Sequence, residues 1–158
     1  GTCWAEKETT MDKYGIQFMN VSLDNEGLKA VPVPDDMSQI LIGAPSVPGC
    51  RIEVLSISIT GVIAGADGTD AAFVNLVYHD ASADSDTTLL TGATGALGDL
   101  EASAGIFVVN EYVTIWQGVQ SLDPGDTIRA DVTITTPETA GEGYAFLVAF
   151  RVKEWNGQ

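Results

Sequence analysis

The sequence predicts an all-β fold, a two-sheet antiparallel β-sandwich of the jelly-roll type with about eight strands. Three observations predict it. The stretch SLDPGDTIRADVTITT, residues 121–136, sets a tight-turn signal ahead of a strict alternation of apolar and polar residues. Apolar runs of strand length recur along the chain, each ended by Gly, Pro, Asn or Asp. No segment holds a helical period long enough to make a confident helix.

The bulk properties agree. A chain of 158 residues suits one domain, and 45% hydrophobic residues is an ordinary globular share. The 17 glycines and 6 prolines are well spread, as many short strands and turns require. Charge is the strongest global feature: 7 Lys and Arg stand against 22 Asp and Glu, a formal net charge of −15. Affinity for phosphates comes mainly from Lys and Arg, so no nucleic acid and no anionic membrane is expected as a partner. No apolar run is long enough for a membrane span. The acidity reads first as solubility and self-repulsion, and second as a means of docking on a basic protein surface or of living in salt.

Element by element, residues 1–14 lack strand periodicity and read as an N-terminal arm carrying Cys3 and Trp4; residues 15–158 form the sandwich domain. The chain begins with Gly1 rather than Met, and Met11 is a conceivable original start. A native arm is the preferred reading, because Cys and Trp are unusual in an expression scar. GIQFMNVSL offers the first strand. DNEGLKAVPVPDD, with two prolines that cannot donate to a ladder, is loop or edge. MSQILIGA gives the second strand. CRIEVLSISITGVIAG is a long strand whose apolar phase slips: Ile52 and Val54 lie on one face, Leu55, Ile57 and Ile59 on the other. That slip predicts a β-bulge near Val54 or burial on both faces.

AAFVNLVYHD and DTTLL are the next two strands, and GATGALGDLEASAG is a small-residue connection. IFVVNEYVTIWQG, apolar on both faces apart from Asn110, Glu111 and Gln117, reads as a central strand. In DTIRADVTIT, Ile128, Ala130, Val132 and Ile134 face inward, and Arg129, Asp131, Thr133 and Thr135 face out. GYAFLVAFRVKEW closes the chain with Tyr144, Phe146, Val148, Phe150 and Val152 on one face. Asp123-Pro124-Gly125-Asp126 joins the strand ending IWQGVQS to TIRADVTIT. Pro presets φ at the second position and Gly accepts φ > 0 at the third, as a type II turn needs.

Leu122, Gly125, Asp126 and Ile128, followed by an alternating strand and an aromatic-rich final strand, resemble the C-terminal half of the tumour-necrosis-factor/C1q-like jelly rolls. The likeness covers residues 107–150 and implies the architecture. In overall character, a small, acidic, Gly/Ala/Thr/Asp-rich sandwich with an N-terminal arm also resembles tailed-phage capsid decoration (cement) proteins. That resemblance implies a non-enzymatic virion structural protein on the outer capsid surface, a homotrimer whose partners are itself and a major capsid protein. The alternative is an extracellular jelly-roll module recognising carbohydrate or a protein receptor.

Candidate chemistry is sparse. His79, the single histidine, has Asp80 beside it and Ser82 nearby, but strand neighbours point to opposite faces and cannot orient each other as a triad. No catalytic residue, cofactor site or metal site is assigned. Asp67, Asp70, Asp80, Asp84 and Asp86 lie in two acidic loops that could offer oxygens to calcium; solvated surface loops are the preferred reading. Alternation puts Tyr112 and Trp116 on one face with Asn110 and Thr114, a partner-binding platform if exposed and core or subunit interface otherwise. Cys3 and Trp4 are the arm's candidate contacts. Cys3 and Cys50 are either bridged, which would stabilise by about 4 kcal/mol on the chain-entropy model, or both free and buried.

Overall fold

A computed structural model describes residues 15–23, 37–65, 72–101, 107–134, 141 and 143–155. The arm, with Cys3 and Trp4, lies outside them, as do Asp67, Asp70 and Thr135 and the side chains of Met37, Ile134 and Trp155. The described residues form eight strands: β1 (Gln17–Ser22), β2 (Met37–Gly43), β3 (Cys50–Thr60), β4 (Ala72–Asp80), β5 (Ser85–Leu90), β6 (Val113–Leu122), β7 (Thr127–Ile134) and β8 (Ala145–Trp155). Sheet A has the order β1-β8-β3-β6 and sheet B the order β2-β7-β4-β5, with antiparallel pairing throughout. Only the β4–β5 turn stays within a sheet; every other connection crosses between them. This is jelly-roll connectivity.

Alternation explains why the sheets face each other. Phe146, Val148, Phe150 and Val152 of β8 and Ile52, Val54, Ile57 and Ile59 of β3 point inward from sheet A. Ile128, Ala130 and Val132 of β7 and Ala72, Val74 and Leu76 of β4 answer them from sheet B. All belong to one buried cluster. The expected inward residues Ile128, Val132, Phe146, Val148 and Phe150 are each buried.

The phase slip in β3 is a bulge. Val54 pairs with Phe150 and Ser56 with Ala149, so Leu55 is the extra residue. The bulge restores phase, and Ile57 and Ile59 rejoin Ile52 and Val54 on the core side. A similar irregularity at Leu41 lets Leu41 and Ile42 both turn inward while Ile40 stays exposed.

The expected central strand at 106–118 is corrected by the structure. The strand starts at Val113, and β6 is an outer strand of sheet A, bonded among the described strands to β3 alone. Its apolar residues on both faces have another origin. Phe107 turns into the core before the strand begins, Val108 and Val109 are exposed in a turn, and a bulge sends Ile115 and Trp116 to the same side. At Asn110 the backbone takes φ 62°, a left-handed conformation that asparagine tolerates, and its N–H bonds to the Gly61 carbonyl.

The small-residue connection after β5 also has a reason. The chain ends β5 at Leu90, where it pairs with Leu76 of β4, loops out, and returns to pair with the start of β4: Val74 N–H bonds to Gly98 O and Leu100 N–H to Ala72 O. A Cβ at Gly92 or Gly98 would stand 2.4 or 2.6 Å from the Val74 carbonyl oxygen, so only glycine permits the approach.

Candidate functional site

The Asp123–Asp126 turn is type II as its sequence predicts: Gly125 has φ 88°, and Asp126 N–H bonds to Asp123 O at 2.9 Å. What the sequence does not announce is the side chain of Asp126, which is only 2% exposed. Its carboxylate accepts hydrogen bonds from Tyr78 Oη at 2.7 Å, Ala81 N at 2.9 Å and Asp123 N at 2.9 Å. The backbone adds Ala44 N–H to Asp126 O and Gly125 N–H to Ala44 O. One residue therefore ties together the β2–β3, β4–β5 and β6–β7 turns at one end of the sandwich. Burial, with the adjacent Asp126 carboxylate, pushes the Tyr78 hydroxyl well above its ordinary range, so it stays a donor.

His79 does not meet Asp80, as strand geometry demands. It pairs across the sheet with Asp86, Nδ1 to Oδ1 at 2.8 Å, with Asp84 3.6 Å from Nε2. Asp80 instead caps its own turn, accepting from Ser82 N, Ser82 Oγ and Ala83 N; those bonds, led by the Ser82 hydroxyl, hold its carboxyl below the usual range. Asp86 also accepts from Arg129, and Arg129 Nε reaches Asp131 at 2.9 Å, which takes a further bond from Ser38. The Arg129 guanidinium first, then His79, lowers the Asp86 carboxyl to about 2. Three of the acidic residues considered for calcium, Asp80, Asp84 and Asp86, thus have partners of their own chain. Among the described residues no group of three His, Cys, Asp or Glu side chains is placed to hold a metal ion.

Tyr112 and Trp116 part company. Tyr112 is 44% exposed, and its hydroxyl accepts a short hydrogen bond from Asn20 Nδ2 of β1, the strand at the far edge of the sheet. Trp116 is half-buried against the core. The register shift opposite Ile57 and Ser58 separates them: Thr114 pairs with outward Ser58, whereas Trp116 pairs with inward Ile57. The two side chains therefore do not share the face that alternation gives them, and Trp116 takes a core-facing position. Cys50 is a fully buried free thiol whose pKa burial pushes up; Cys3 is outside the described residues.

The two outer faces differ in kind. Sheet B shows solvent the network of Ser38, His79, Asp86, Arg129 and Asp131. The outer face of sheet A carries the rungs Phe18–Ala149–Ser56–Gln117 and Asn20–Leu147–Ser58–Thr114, then Ser22–Ala145–Thr60, with no charged residue in any; Ala149 and Ser58 at its centre are themselves buried. The next rung holds Arg151 and Glu53, bonded to each other at 2.8 Å. Phe18 is 67% exposed.

In comparisons with protein-family models, curated proteins and solved structures, none matches the chain.

Proposed function

We propose that this chain is a non-enzymatic virion structural protein that decorates and stabilises a capsid, working as a homotrimer on the outer capsid surface beside a major capsid protein. The observation that carries this reading is how the chain uses its polar groups. Asp126, Asp80 and Asp99 bracket backbone turns; Asp99 accepts from Gly95 N and Glu101 N. All three arginines are held by carboxylates of the same chain: Arg51 by Asp123, Arg129 by Asp86 and Asp131, Arg151 by Glu53. These groups are spent on holding a jelly roll together, which suits a protein whose task is mechanical. The resemblance in size, acidity and architecture supplies the capsid setting. The carbohydrate-binding alternative loses support because Tyr112 and Trp116 do not share a face.

The test is co-sedimentation of the chain with emptied capsids of tailed phages, alongside a glycan array. Saturable capsid binding that raises resistance of the shell to heat is the expected result. Retention on the array with no capsid binding would replace this reading with the extracellular one.

A further inference from the structure

We infer that the outer face of sheet A is the surface on which copies of this chain meet. The inference rests on the homotrimer part of the reading above and names the face that part requires.

The first argument is charge. The chain carries −15 overall and 18% charged residues, yet three successive rungs across sheet A hold none. The next rung carries one residue of each sign, and these neutralise each other as the Glu53–Arg151 pair. Copies of so acidic a chain repel. Symmetric packing brings a surface close to its own repeat, and like charges set against each other across an interface cost several kcal/mol. A self-contact must therefore fall where carboxylates are missing. A basic partner would select the opposite, a face rich in carboxylates. Sheet B sets two outward carboxylates, Asp86 and Asp131, around a single guanidinium, Arg129, so it keeps an excess of negative charge that a second copy would repeat.

The second argument is apolar exposure. A solvated face of an antiparallel sheet is normally polar. Here Phe18 projects from the edge strand β1 beside Ala149, and Leu147 follows one rung along. The ring of Tyr112 reaches from the β6 side of the sheet to Asn20 of β1. Exposed aromatics within an uncharged patch are what the buried centre of a subunit interface contains.

The experiment is sedimentation velocity over a concentration series with the full chain and three variants. Phe18→Asp removes the exposed ring and adds a charge. Asn20→Asp adds a charge with almost no change of shape, and the bond to Tyr112 reverses, with the hydroxyl donating to the new carboxylate in place of accepting from the Asn20 amide. Ile40→Asp is the control, an equally exposed apolar residue (60%) on sheet B. Wild type and Ile40→Asp should assemble alike, and Phe18→Asp and Asn20→Asp should each weaken assembly at least tenfold with unchanged far-ultraviolet circular dichroism. Added salt should recover part of the Asn20→Asp loss by screening. A wild-type oligomer indifferent to both sheet A variants, or equally broken by Ile40→Asp, overturns the assignment and leaves the decoration reading standing. A wild type that stays monomeric at high concentration and high salt overturns both this inference and the trimer, while capsid binding judges decoration separately.

Discussion

At one end of the sandwich, where β2–β3, β4–β5 and β6–β7 turn, the buried Asp126 carboxylate draws three connections together through hydrogen bonds. At the other end, where β3 ends and β8 begins, two rings do the closing. Phe107 and Tyr144 meet edge to face, centroids 5.5 Å apart and planes at 66°. They sit over Gly61, where a Cβ would fall 2.8 Å from both rings. Leu23 N–H bonds to the Tyr144 carbonyl and brings the end of β1 to the same place. The difference teaches how loop length selects the closing chemistry. Tight turns bring backbone N–H groups close enough for one acceptor to serve several. Longer connections have side chains to spare, and a pair of rings covers area without demanding exact geometry.

If the two ends are separate devices, removing the aromatic closure should have the largest effect. Tyr144→Ala deletes a ring that is 1% exposed and should lower stability by about 3–5 kcal/mol, read as a shift of the urea midpoint at constant slope. Asp126→Ala should follow at about 2–3 kcal/mol, because it strands Tyr78 Oη and two backbone N–H groups without their acceptor. The length of the strands lies between these sites, so the double variant should equal the sum within about 0.5 kcal/mol. A larger coupling energy would mean that the two closures act through one shared core rearrangement, and the comparison would have to be abandoned.

The distribution of these features also explains what could be read from the sequence. The sandwich, the type II turn, the β3 bulge and the inward residues of β7 and β8 all follow from local rules: period two, a Pro-Gly pair, one broken phase. The strand boundaries of β1, β2, β4 and β5 were legible for the same reason. Strand order was not, because pairing such as β3 with β8 joins residues far apart in the chain. β6 misled because Phe107, Val108 and Val109 prolong an apolar run that the backbone has already left, through a turn marked only by Asn110. The carboxylate of Asp126 was invisible as a buried acceptor. Its letter serves equally well as a solvated turn residue, and only the approach of Tyr78 and Ala81 decides. On the sheet faces, the uncharged rungs of sheet A were spread over four strands and became a patch only once registered.

The smallest expected effect lies on the outer face of sheet B and separates surface pairing from both closures. Asp86 accepts from Arg129 and His79, which lowers its carboxyl from 3.8 to about 2 in the folded chain. Because the folded value is the lower one, the stabilisation is present in full above pH 3.8 and fades as pH falls toward about 2, where the folded chain also takes up the proton. Asp86→Asn cannot make this charged pairing at any pH. Its melting temperature should therefore sit slightly below that of wild type at pH 6, and the gap should close as the pH is lowered through that window. The carboxylate is half exposed and open to screening, so salt should shrink the gap at pH 6 as well. Melting curves recorded from pH 6 to pH 2 at low and high salt provide the check. A gap that persists unchanged at pH 2 would show that Asp86 acts through the shape of the β4–β5 hairpin rather than through its charge, and would move it from surface pairing to the turn chemistry of the Asp126 end.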